Sequence, residues 1–239
     1  MDEMKLIGLM YLLSFCSHLS ALPINVISEV SLFLRTIWTS WNQSNISPEF
    51  NPDAILNTPE MIRKAGYPAE SHVIMTEDGY LLTLHHIPGG NNSLPVLLQH
   101  GFYCSSADWV VLGKGKALAY LLADQGYDVW LGNFRGNTYS KAHISLSPLN
   151  STFWNFSFHE MGIYDLPAMI TFITNMRSQP LHTYIDHSMG AGSFFTMASE
   201  RPEISKMVQM MIALAPAVFI KHMRSPAQYL KLFRSEIEV

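Results

Sequence analysis

Residues 181–201, Leu-His-Thr-Tyr-Ile-Asp-His-Ser-Met-Gly-Ala-Gly-Ser-Phe-Phe-Thr-Met-Ala-Ser-Glu-Arg, constrain the fold more than any other stretch of this protein. Positions 182–186 carry β-formers, Tyr184 and Ile185 among them. Positions 189–200 form a small-residue and aromatic run that ends at Arg201-Pro202, where proline cannot continue a helix. The reading is a short strand, a turn at Ser188 and a helix.

The same alternation extends along the whole sequence. Two β-rich runs, 71–76 and 80–87, are joined by Glu77-Asp78-Gly79 and predict a hairpin. Residues 94–99 are a short apolar run of the kind covered on both faces of a sheet. A helix follows over 116–125, closed by Gly126. Next come a strand over 127–131, a helix over 164–177 with Pro167 in its first turn, the strand–Ser188–helix unit, and an apolar strand over 207–214. Strand and helix in regular succession imply right-handed crossovers and an α/β fold, with a mostly parallel sheet covered by helices on both faces. Ser188 then lies at the carboxyl end of a central strand, where such sheets place their sites.

With 239 residues, 48% hydrophobic and 14% charged, the sequence suits one domain with a substantial core. A net charge of −4 with no run of Lys and Arg gives no electrostatic footprint for nucleic acid. Residues 1–21 combine Lys5, an apolar run over 6–16 and Ser-His-Leu-Ser-Ala, a signal-peptide profile too short for a transmembrane span. Secretion, or delivery to a lysosome, is therefore expected. Residues 22–50 form an N-terminal segment in which Ile24, Ile27, Val30, Phe33, Leu34, Ile37, Trp38 and Trp41 recur at helical spacing. That face suits either a lipid surface or the body of the protein. Asn42, Asn45, Asn91, Asn150 and Asn155 each begin an Asn-x-Ser/Thr acceptor; the first four are expected to carry glycans, and Asn155, between Trp154 and Phe156, to be too enclosed. Cleavage after Ala21 would leave Cys104 as the sole cysteine, with no internal disulfide.

Chemistry can be read at Ser188. A serine between strand and helix, with Gly190 two places on, fits a tight turn that lifts a nucleophilic hydroxyl above a sheet. An ordinary serine in a strand–helix turn fits the same five residues. Acyl transfer also needs donors aimed at the developing oxyanion. His100-Gly101-Phe102 follows the 94–99 strand, so the backbone amides of Phe102 and Met189 are the candidate pair.

Here the sequence resembles the animal acid lipases, the gastric, lysosomal and insect digestive branch of the α/β-hydrolase fold. The resemblance runs from about Asn51 to Pro226. It is carried by Lys64-Ala-Gly-Tyr-Pro68, Thr76-Glu-Asp-Gly-Tyr80, Leu98-Gln-His-Gly101, Ser105-Ser-Ala-Asp-Trp109, Gly126-Tyr-Asp-Val-Trp-Leu-Gly-Asn133, Arg135-Gly-Asn-Thr-Tyr139, Tyr164-Asp-Leu-Pro-Ala168 and Ala213-Leu-Ala-Pro216, among others. It implies a core over 51–216, the start of a cap over 217–239, Ser188 as nucleophile, Phe102 and Met189 as the oxyanion hole, and neutral lipid esters such as triacylglycerols or sterol esters as substrate.

Two departures stand out. The family's turn is like Gly-His-Ser-Gln-Gly, where this protein has Asp186-His-Ser-Met-Gly190. Downstream of Ser188 there is no Asp, Glu occurs only at 200, 203, 236 and 238, and the one histidine is His222. The triad acid and base are thus expected to be missing, and the sequence to stop before the family's last strands and most of its cap. An inactive lipid-binding protein is the alternative reading. His187 is expected to pack beneath the turn, since adjacent strand residues point apart. His143, His159 and His182 lack partners at metal-ligand spacing, so neither metal nor cofactor is expected. The sequence leaves the oligomeric state open.

Overall fold

The computed structural model describes residues 55–219. The signal-peptide, amphipathic and cap-region expectations, with Asn42, Asn45 and His222, lie outside them. A helix α1 (Thr58–Lys64) opens the fold on a capping box, in which Asn57 accepts from the Glu60 amide and Glu60 accepts from the Asn57 amide. The predicted hairpin follows as β1 (Glu70–Met75) and β2 (Tyr80–Ile87), antiparallel and paired from Glu70↔His86 to Met75↔Leu81. Gly79 turns it at φ +96, a conformation that favours glycine.

The remaining strands are β3 (Pro95–Gln99), β4 (Asp128–Leu131), β5 (Ala142–His143), β6 (Leu181–His187) and β7 (Val208–Leu214). Their order is β1-β2-β4-β3-β6-β7, with β5 paired to β2. β4, β3, β6 and β7 run parallel, as the alternation predicts, and β1, β2 and β5 form the antiparallel margin.

Helices α2 (Leu118–Asp124), α3 (Leu166–Arg177) and α4 (Met189–Glu200) cover the faces. Side-chain alternation on the strands divides the core in two. Leu97, Trp130 and Tyr184 face Met169, Ile170 and Ile173 of α3 and Met197 of α4. Val96, Leu98, Val129 and Leu131 face Ile62 of α1 and Ala119 and Tyr120 of α2. Each fully buried Leu or Val among them contributes roughly 1.5–3 kcal/mol of burial free energy before entropy is subtracted. Among the described residues no helix is long and apolar enough to cross a membrane.

The helix expected over 164–177 starts earlier than periodicity suggests. Ser157 and Glu160 form a capping box at a helical turn, Phe158–Glu160, which runs through a π-helical turn, Met161–Asp165, into α3. Pro167 has no N–H to give to the carbonyl of Ile163. That carbonyl instead accepts from the Arg201 guanidinium at 2.9 Å, so a side chain from beyond α4 fills the gap proline leaves.

Candidate active site

β6 ends at His187 and α4 begins at Met189, so Ser188 is the whole turn between them. Its backbone sits at φ +56, ψ −111, a costly conformation for a residue with a Cβ. Three hydrogen bonds hold it there: the Ser188 amide donates to Leu214 at 2.9 Å, and its carbonyl accepts from Ala191 at 3.2 Å and Ala217 at 3.0 Å. The Ser188 hydroxyl makes no capping bond to α4.

Small residues let the neighbouring backbone approach this turn. A Cβ on Gly190 would stand 2.9 Å from that of Asp186, and one on Gly101 would stand 3.2 Å from that of Ser188. The loop after β3 therefore lies directly against the turn. His100 fixes that loop. It is buried, its Nε2 accepts from the Phe134 amide at 3.1 Å, and its Nδ1 consequently carries the proton donated to the Gly101 carbonyl at 2.7 Å. Burial lowers its pKa to about 4, so it stays neutral and acts as a strut. Sequence reasoning assigned His100 no such part; its place directly ahead of Gly101 was the available signal.

Among the described residues the amides of Phe102 and Met189 have no hydrogen-bond partner. Beside them opens a cavity of about 670 Å³, walled by Phe102, Tyr103, Phe134, Phe156, Met161 and Met189, with Arg135 and Asn137 at its polar side. Such a volume and lining suit an apolar chain attached to a polar group. A hydroxyl on a strained turn, free backbone donors and room for an apolar substituent are the parts acyl transfer uses.

Two expectations are corrected. His187 is exposed rather than packed under the turn. The alternation that turns Asp186 inward turns His187 the other way, where its Nδ1 would stand 3.0 Å from a Cβ on Gly101. Asn155 is also exposed, as are Asn91 and Asn150. The rings of Trp154 and Phe156 close on Gly136 and leave Asn155 outside.

Asp186 is fully buried, and neither of its oxygens has a partner among the described residues. Burial pushes its pKa up to about 7. Glu200 ends α4, about 18 Å along the axis from Ser188 at 1.5 Å per residue. Glu203 lies in the next helix, Pro202–Ser205, paired to Arg201 at 2.8 Å. Neither reaches the serine. Burial first of all pushes the Cys104 thiol up to about 11, which disfavours its thiolate form.

Residues 95–236 match the family described as the alpha/beta hydrolase fold, and residues 58–113 match the partial alpha/beta-hydrolase lipase region. The chain belongs to the α/β-hydrolase family. It is 52% identical to Lipase 1 of Drosophila melanogaster over 71% of this chain and 38% of that protein. It is 42% identical to the gastric triacylglycerol lipase of Rattus norvegicus and to the lysosomal acid lipase/cholesteryl ester hydrolase of Macaca fascicularis, each over 74% of this chain and 46% of the relative. The resemblance to animal acid lipases therefore holds, and the chain spans less than half the length of these three relatives. A solved esterase of Pyrococcus furiosus shares the fold, with a TM-score of 0.52 at 21% identity over 73% of this chain and 61% of that one.

Proposed function

We propose that the protein is a lipase-type carboxylic ester hydrolase in which Ser188 is the nucleophile and the amides of Phe102 and Met189 stabilise the oxyanion. The substrate class is a neutral lipid ester, triacylglycerol or sterol ester, whose acyl chain would occupy the aromatic cavity beside Met189. Entry to the secretory pathway, with glycans on exposed acceptors, fits the gastric and lysosomal names of its relatives. The observation that supports the reading is the strained Ser188 turn with Gly101 close against it, together with Phe102 and Met189 amides that have no partner among the described residues.

In this mechanism the hydroxyl gives its proton to a general base as its oxygen attacks the ester carbonyl, the carbonyl oxygen gains charge between the two amides, the alkoxide leaves with a proton from the same group now acting as acid, and water attacks the acyl-enzyme to release the fatty acid and restore the serine. The base and acid of that step are not among the described residues. A second reading, a lipid-binding protein that keeps the scaffold without the chemistry, is favoured by the buried Asp186 in the turn.

Fusing the region that follows the match in the Drosophila relative onto this chain, then assaying tributyrin emulsion, separates the two. Hydrolysis that disappears in Ser188→Ala supports the enzyme. Emulsion binding with no Ser188-dependent hydrolysis supports the second reading.

A further inference from the structure

The antiparallel margin, away from the Ser188 turn, carries a second cluster of reactive side chains. Glu70 and His72 stand two apart on β1, so they share a face, and His86 pairs with Glu70 across the hairpin. Glu70 Oε2 lies 3.1 Å from His72 Nε2 and 2.9 Å from His86 Nδ1, and the three ligand atoms fall within 4.8 Å of one another. Bonds of 2.0–2.1 Å in a tetrahedron set ligand atoms about 3.3 Å apart, so small rotations would put these atoms around one ion.

Both rings are held. His86 stacks on Trp130 with centroids 3.7 Å apart and planes 10° from parallel. His72 packs against Trp130 and Phe172. The other nitrogen of His86, Nε2, meets Asp128 Oδ1 at 2.8 Å, and Asp128 also accepts from the Gly89 amide at 2.9 Å and Trp130 Nε1 at 2.6 Å. A buried carboxylate behind a histidine fixes the tautomer and leaves Nδ1 free to bind a metal. His86 is buried, His72 partly so and Glu70 half-exposed, so water can take the fourth position.

We propose that Glu70, His72 and His86 form a binding site for a divalent metal ion of the zinc class, with Asp128 as the orienting carboxylate behind His86. Two imidazoles and one carboxylate with an open position suit Zn²⁺ better than Mg²⁺ or Ca²⁺, which prefer all-oxygen sites.

Calorimetric titration of the chelator-treated 239-residue protein with ZnCl₂ tests this, with CoCl₂ absorption reporting the geometry. Stoichiometric binding with a tetrahedral cobalt spectrum is expected. His72→Phe, which keeps the aromatic packing, and Glu70→Gln should each weaken zinc by about tenfold or more, and Asp128→Asn by about 10–100-fold. Circular dichroism shows whether each variant is folded. Zinc binding that is absent, or equally strong in folded His72→Phe and Glu70→Gln, would overturn the site and leave the cluster a hydrogen-bonded ion pair.

Discussion

Asp186 and Gln99 stand opposite each other on the adjacent parallel strands β6 and β3, both fully buried, and none of their side-chain oxygen or nitrogen atoms has a partner among the described residues. They face the α3–α4 side of the sheet, where the buried Ser193 hydroxyl of α4 also lacks a partner. Unpaired buried polar groups cost about 1–3 kcal/mol each, so this corner under the turn is a weak point of an otherwise well-packed core.

Ionisation of Asp186 should therefore cost stability as pH rises. Its pKa, about 7 when folded, exceeds the unfolded value of about 3.9. A raised carboxyl pKa means the fold favours the neutral form: the contribution is fully present below the unfolded value and is lost as pH rises through about 7. Asp165, raised to about 6 first by burial, acts with the same sign, and His85 and His100, lowered to about 4 by burial, act with the opposite one, so the test is a difference between proteins. Thermal melts at pH 5 and pH 8 should show that Asp186→Gly reduces the loss by at least ~1.4 kcal/mol, the worth of one pK unit, or about 3 °C. An unchanged loss would show that Asp186 is not the group.

Ser188→Gly should stabilise the fold. Glycine adopts φ +56 freely, whereas serine there costs about 1–3 kcal/mol. Against that stands the extra backbone entropy of glycine, about 0.5–1 kcal/mol. A net gain of about 1 kcal/mol, or roughly 3 °C in Tm, is expected, with none for Ser188→Ala. Equal Tm for all three proteins would mean the turn is unstrained.

The parts of this architecture that the sequence displays are those whose cause is local. Residues 94–99 read as a covered strand because every side chain is apolar or ends the run, and β3 is buried throughout. The helix over 189–200 was legible at both ends, from Ser188 before it and Arg201-Pro202 after it. What escaped depends on distant partners. The early start of the α3 assembly needs Arg201 to satisfy Ile163, and no periodicity announces that. At the site, motif spacing brings Ser188, Gly101 and Met189 together, but that spacing does not announce the exposure of His187 at the end of β6. The Glu70–His72–His86 cluster depends on hairpin register, which scanning each histidine for partners along the sequence could not reveal.

Arg135 should be among the costliest residues to replace. Its guanidinium grips Asp78 through two bonds of 2.6 and 2.8 Å and Asp165 through a third of 2.7 Å, all beneath the ring of Tyr80. Arg135→Met would strand the fully buried Asp165 without its counter-charge, a loss of about 3–5 kcal/mol. The double variant Arg135→Met/Asp165→Asn should recover part of it. Denaturant melts settle this, and an additive double variant would mean the two residues are not coupled.

Catalysis supplies the last prediction. Asp186 occupies the first flanking position of the turn, and its Cβ lies so near Gly190 that a Cβ there would stand 2.9 Å from it. If the Asp186 side chain displaces the Met189 amide from the oxyanion, removing it should return much of one donor's worth. Removing one such donor costs roughly 10²–10³ in kcat in well-studied hydrolases. In the fusion that carries the region following the match in the Drosophila relative, Asp186→Gly should therefore raise Ser188-dependent hydrolysis of a short-chain ester by about tenfold or more, chiefly in kcat, because the interaction matters in the transition state. In the unfused 239-residue protein neither the parent nor Asp186→Gly should turn over measurably. Ester cleavage there that is lost in Ser188→Ala and in His187→Gln would make the exposed His187 the base and displace this account of the site.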